Sequence, residues 1–179
     1  DAAGLAISAR MTSQIRGLEA GMKNAGDAIS MISVADGAMV EIGNMLQRMR
    51  ELALQSANGT TTADDRDYLN DEYQSLHAEI ERIAQNTQWN GTDILNVASN
   101  SKKYQVGANG GQTIAVDFAA VDQTNGSAFG SFSAAGAAVS ISAGTTASAI
   151  TTGSAAVTKI DAAITELNEN RAAFGAAIN

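Results

Sequence analysis

The chain contains no cysteine and no proline, only 4% aromatic residues and a single histidine. Without cysteine there are no disulfides, no thiolate catalysis and no cysteine-based zinc sites, and the redox compartment leaves no trace. Proline averages about 5% of ordinary chains, and its absence fits long helices that must not be interrupted. So few aromatics imply an aliphatic, alanine-rich core, which suits closely approaching helices. Basic charge is also scarce: 19 acidic side chains face 11 basic ones, and no Lys/Arg cluster exceeds Lys102-Lys103. A net charge of −8 argues against a nucleic-acid partner and favours solubility. The 179 residues suffice for one domain or two small ones. Asp1 does not resemble a natural start, and the missing leader therefore carries no weight.

What the chain does have is helical periodicity. Met11, Ile15, Leu18, Met22, Ala25, Ile29 and Ile32 step by fours and threes, and Ala35, Met39, Ile42, Leu46, Met49 and Ala53 resume the pattern. This predicts one helix over 3–56, roughly 80 Å long at 1.5 Å per residue. An uncapped pattern this long points to a coiled coil, a membrane span or a repeat. Charges from Arg10 to Glu51 interrupt every run long enough to span a bilayer, which leaves a rod. The pattern is already running at the first residue, as expected of a rod cut from a longer one.

The turn residues Ala57-Asn58-Gly59-Thr60 end this helix, and Thr62 followed by Asp64, Asp65 and Asp67 reads as the N-cap and acidic first turn of a second. Its core positions are Leu69, Tyr73, Leu76, Ile80, Ile83 and Thr87, and the short connection makes the two helices antiparallel. Asn90-Gly91 and Asn109-Gly110 then mark turns, and 103–106 and 113–118 read as strands. Residues 124–153 are rich in Gly, Ala, Ser and Thr, with Val139 and Ile141 suited to one further short strand. Helical spacing returns at Ile150, Val157, Ile160, Ile164, Leu167, Phe174 and Ile178, interrupted by Gly153 and Arg171. A lone amphipathic helix cannot bury its own stripe, so the last helix should return along the first. The expected fold is mainly α, an elongated antiparallel three-helix coiled-coil-like rod with a small β-hairpin region. Its parts are N-terminal rod helices over 1–90, a hairpin and short variable region over 91–145, and a C-terminal rod helix over 146–179, together one composite rod.

No residues assemble into an active site, and no catalytic, metal or cofactor-binding set is assigned. His77 has no Cys or second His to share a metal, and Asp64, Asp65 and Asp67 lack calcium-loop spacing. No phosphate loop, dinucleotide fingerprint or nucleophile elbow occurs. Asn58, Asn90 and Asn125 each begin an Asn-x-Ser/Thr triplet, but each sits in a glycine-containing turn. The informative surface lies on the rod. If Leu46, Met49 and Ala53 face inward, then Arg48, Leu52 and Gln55 lie on an outer stripe, with Leu52 offered to solvent or a partner. Counting back from the turn near Gly59 brings Arg48 beside Glu72, so Arg48, Glu72 and Leu52 are expected to form a mixed polar and apolar patch. A solvated ion pair explains the two charges equally well.

Four ordered motifs resemble bacterial flagellin: the opening DAAGLAIS from Asp1 to Ser8, QRMRELALQSANGT from Gln47 to Thr60, QNTQWNGTDIL from Gln85 to Leu95, and YQVGANGGQTI from Tyr104 to Ile114. The last helix, with IDAAI from Ile160 and NRAAFG from Asn170, resembles the C-terminal rod helix of the same family. Trp89 stands where phenylalanine is commoner, and the middle region is short.

The resemblance implies a structural subunit of the flagellar filament, secreted and extracellular, that serves motility with no enzymatic activity and no cofactor. A hook-filament junction protein is the alternative, disfavoured by the intact second and third motifs. Implied partners are other flagellin subunits, an export chaperone and Toll-like receptor 5; no membrane and no nucleic acid are expected. The family's receptor-contact motif falls on Gln47, Arg48, Arg50, Glu51, Leu52, Gln55 and Glu72, with Arg48, Leu52 and Glu72 central. The same surface suits contacts with neighbouring subunits. Because the polymerisation segments of the family are missing, the 179-residue chain by itself is expected to be monomeric.

Overall fold

A computed structural model describes residues 2–96, 100–118, 121, 140–142 and 146–179. Helix α1 runs unbroken from Ala2–Ser56, α2 from Ala63–Asn86, and α3 from Thr146–Ile178. Between α2 and α3 lie two antiparallel strand pairs, β1 (Gln88–Trp89) with β2 (Thr92–Asp93) and β3 (Asn100–Gln105) with β4 (Thr113–Phe118). The expected strand at Val139 lies outside the described residues. Ile141, which was expected to share it, is a bend instead, tied down by Ser56 and Asn70.

Local chemistry explains most boundaries. Thr62 caps α2: its hydroxyl oxygen accepts from the Asp65 amide at 3.2 Å, and the Asp65 carboxylate accepts from the Thr62 amide at 3.3 Å, a reciprocal capping box. The Thr62 hydroxyl also donates to the Asp65 carboxylate at 2.6 Å, and this bond, then the one from the Thr62 amide, holds the Asp65 carboxyl below its ordinary pKa. Asn90 and Gly91 both adopt positive φ, 49° and 73°, as the two-residue turn between β1 and β2 requires. In the longer hairpin the register runs from Asn100↔Phe118 to Gln105↔Thr113.

Helix α1 is the spine. Helix α3 returns along it, as the pairs Arg50–Asp161 and Arg171–Asp36 show, and α2 returns along another side through Arg48–Glu72. Met39, Ile42, Leu46, Met49 and Ala53 of α1 are buried with Tyr73, Ile80 and Ala84 of α2 and Ala156, Ile160, Ala163, Leu167 and Phe174 of α3. The two breaks in the α3 pattern have definite roles. Gly153 lets the helices touch, since a Cβ there would stand 2.9 Å from the Ala53 carbonyl oxygen. Arg171 reaches Asp36 at 2.7 Å, and this hydrogen bond raises its pKa.

The hairpin takes over where α3 ends. Phe118 packs on Phe174 with ring centroids 5.3 Å apart, and Asn24 donates to the Gln105 carbonyl at 2.9 Å. At Gly21 the backbone of Val106 lies so close that an added Cβ would stand 2.4 Å from its carbonyl oxygen. Glycine is required there by approach, not by dihedral freedom.

The apolar stripe is therefore not buried along its whole length. Leu5, Ile7, Met11, Ile15, Leu18 and Met22 are all exposed, Met22 by 69%. Beyond the hairpin tip no described element lies over this part of α1. One 18-residue stretch of α1 is apolar enough to cross a membrane by length and composition, and a third of it is buried. The same helix carries the core row from Met31 to Ala53, so its apolarity serves the bundle.

Candidate functional site

The turn-counting argument for Arg48 and Glu72 holds in the structure. The Arg48 guanidinium donates from Nε to Glu72 at 2.8 Å and from Nη1 to Glu51 at 2.9 Å. Arg48 thus bridges α1 and α2 while holding a residue one turn along its own helix. Hydrogen bonds to Glu72 first, and to Glu51, raise its pKa above an already high value. Arg48 and Glu72 remain about half exposed and Glu51 about two-thirds, so the cluster is a solvated surface feature with little weight in stability. Arg50 points the other way, donating from Nε to Asp161 of α3 at 2.6 Å, which raises its pKa in turn. Gln47, Glu51 and Gln55 are exposed on the same stretch of α1.

Leu52 departs from expectation. It is 1% exposed and belongs to the core with Met49 and Ala53. The outward placement assumed one seam per helix. Helix α1 packs against two helices, and a helix with two neighbours buries a stripe wide enough to include positions on both flanks of the central row. Leu52 lies about 60° around the helix from Met49, on such a flank. The surface that α1 and α2 offer here is consequently polar, an Arg–Glu–Glu cluster with glutamines beside it, resting on a buried leucine.

Arg66 was not anticipated. It is 3% exposed, and its guanidinium donates from Nε to the Ser56 carbonyl and from Nη2 to the Asn58 carbonyl, both at 3.0 Å. Helix α1 has no basic residue in its own last turn, so Arg66 supplies from α2 the positive charge that the C-terminal carbonyls favour. A signal was present: an arginine in the first turn of α2 opposes that helix's own dipole and so requires another partner. Ser56, also buried, donates to the Ile141 carbonyl at 2.6 Å, and the Asn70 side-chain oxygen accepts from the Ile141 amide at 3.0 Å. These contacts fasten the 140–142 segment over the helical turn.

No group of three His, Cys, Asp or Glu side chains able to hold a metal occurs among the described residues. His77 is half-buried on α2.

A family model described as the bacterial flagellin N-terminal helical region matches residues 1–100. The chain belongs to the flagellin family. It is 50% identical over 122 residues to a flagellin of Halalkalibacterium halodurans, covering 68% of this chain and 45% of that one. It is 48% identical over 114 residues to flagellin B of Vibrio cholerae, covering 64% of this chain and 30% of the relative. The chain thus spans less than half the length of these flagellins. Among solved structures, that of Bacillus cereus flagellin superimposes with a TM-score of 0.69 at 32% identity, covering 88% of this chain and 83% of the other. FliC from Burkholderia pseudomallei matches with a TM-score of 0.51 at 35% identity, over 55% and 38% of the two chains. The mainly helical fold with small antiparallel strand pairs is accordingly that of a flagellin.

Proposed function

We propose that this flagellin chain is the rod portion of a structural subunit of the bacterial flagellar filament, extracellular and serving motility, with no catalytic role. Its helices, hairpin and variable region work as one composite rod along the boundaries 1–90, 91–145 and 146–179. The observation that carries the reading is the exposed apolar row from Leu5 to Met22 on α1. A soluble monomer rarely displays an apolar row of this kind, and we read it as a surface that other helices of the assembled flagellin cover. Other flagellin subunits are the partners, with an export chaperone serving before assembly. The test is electron microscopy of the full-length flagellin containing this chain. Helical filaments are expected, and Ile15→Asp with Leu18→Asp should abolish them; filaments unaffected by the two charges would refute the role given to this row.

A second reading is supported by the exposed Arg48–Glu72–Glu51 cluster. We infer that Toll-like receptor 5 recognises the surface formed by Gln47, Arg48, Arg50, Glu51, Gln55 and Glu72, with Leu52 acting from beneath. An arginine already aligned by two carboxylates is a preorganised donor for a partner's acidic or carbonyl oxygens. Receptor activation by full-length Arg48→Ala and Glu72→Ala decides it. Potency should fall for both, and unchanged potency would overturn the assignment.

A further inference from the structure

One groove on the side of the rod brings together side chains that lie outside both the Leu5–Met22 row and the Arg48–Glu72 surface. It is open to solvent, about 250 Å³ in volume, and lined by Met31 of α1, Trp89 and Thr92 of the first strand pair, and Lys102, Lys103 and Tyr104 of β3. At its floor the Tyr104 hydroxyl donates to the Met31 sulfur at 2.8 Å. Burial raises the Tyr104 phenol above its ordinary pKa, so it stays protonated and remains a donor. Met31 is 5% exposed, which separates it from Met39 and Met49, both sealed in the core at 0%. A thioether sulfur has two lone pairs. Tyr104 engages one, and Met31 itself lines the open groove.

We propose that Met31 is a site of reversible oxidation, converted by hydrogen peroxide to the sulfoxide, and that the groove is built to accept the oxygen it gains. In the step the sulfur lone pair attacks one peroxide oxygen and the O–O bond breaks. The departing hydroxide takes up the proton of the transferred oxygen and leaves as water. Sulfur is oxidised by two electrons and peroxide is reduced by two. The product oxygen is a strong acceptor where the thioether was a weak one. Lys102 and Lys103 line the same groove and supply ammonium donors, and among the described residues neither lysine is held in an ion pair. The apolar contact between α1 and the hairpin base thereby becomes a polar one, while Asn24 and Gly21 still hold the hairpin tip.

Trp89, the single tryptophan, lines this groove and reports on it. The experiment exposes the folded chain to graded hydrogen peroxide, maps oxidation by peptide mass spectrometry and follows Trp89 emission. Met11 and Met22, each more than half exposed, should oxidise first and the partly buried Met45 next, with no change in emission. Met31 should follow severalfold faster than Met39 and Met49, its oxidation tracking the emission change, and methionine sulfoxide reductase should reverse both. Met31→Leu, a volume-conserving exchange, should keep the fold and remove the emission change. Tyr104→Phe, which frees the second lone pair, should accelerate oxidation at Met31. Oxidation of Met31 no faster than Met39, or an emission change that persists in Met31→Leu, would overturn the proposal.

Discussion

Replacing Leu52 by alanine separates a core role from a surface role. Leu52 is 1% exposed, so the three carbons removed all come from packed surroundings. At about 0.8 kcal/mol per carbon the lost transfer energy is about 2.4 kcal/mol, and the residual cavity raises the cost to about 3 kcal/mol or more. For a chain of this size each kcal/mol lowers the melting midpoint by about 2–4 °C, giving a fall of about 6–12 °C. Thermal unfolding followed by far-UV circular dichroism reads this directly. Leu52→Met should stay near the wild-type midpoint, because volume is conserved. Arg48→Ala should unfold with the wild type, since its ion pairs are solvated. A Leu52→Ala chain within about 0.5 kcal/mol of wild type would refute the placement, since surface changes stay inside that margin. Combined with receptor activation the pair is diagnostic. Arg48→Ala should lose potency while fully folded, and Leu52→Ala should lose it only in step with unfolding.

Other outcomes follow from the same geometry. Gly26→Ala and Gly37→Ala, in open positions of α1, should each stabilise by up to about 1 kcal/mol, while Gly21→Ala should destabilise because the Val106 backbone blocks its Cβ; urea midpoints give the sign. Arg66→Met should cost about 3 kcal/mol by losing two charge-assisted hydrogen bonds to α1 carbonyls, with faster hydrogen exchange at 57–61 as the local signature. Burial, and then the Glu169 charge, raise the Glu166 pKa above its ordinary 4.5. A carboxyl raised on folding destabilises while ionised, so this group's contribution should improve as pH falls through its folded value toward 4.5, and Glu166→Gln should remove that gain. Glu79, lowered by its hydrogen bond to Arg82, works oppositely and loses its contribution as pH falls below 4.5. In sedimentation the 179-residue chain should run as a monomer at micromolar concentration; filaments formed by it unaided would contradict that expectation.

What could be read from the residues was whatever depends on neighbours in sequence. The helix expected over 3–56, observed as Ala2–Ser56, follows from sustained periodicity without proline, and the start of α2 follows from Thr62 and Asp65 satisfying each other's backbone. The Arg48–Glu72 contact was equally legible, because a short turn between antiparallel helices sets which residues stand opposite. The motifs that resembled flagellin were likewise written in the chain, and the family match over 1–100 bears out the three that lie within it.

Whatever depends on how many neighbours a surface has required the tertiary structure. Periodicity gives the direction of an apolar stripe and leaves its width open. Leu52 is buried because α1 packs against two helices; Met11 and Ile15 are exposed because no described element lies over that end of α1, and Leu18 and Met22 because the hairpin tip touches only the Gly17 and Gly21 face. Spacing cannot distinguish these cases, since the same four-and-three pattern runs through both halves. Arg66 makes the point from the other side. Its place in the first turn of α2 shows only that it needs a partner elsewhere; which partner, the carbonyls of Ser56 and Asn58, no residue type names, because backbone groups carry no such signal. The sequence by itself determined where the helices run and which family they belong to. Only packing decided which of their faces remain for a partner, because burial is a property of two surfaces and a sequence describes one.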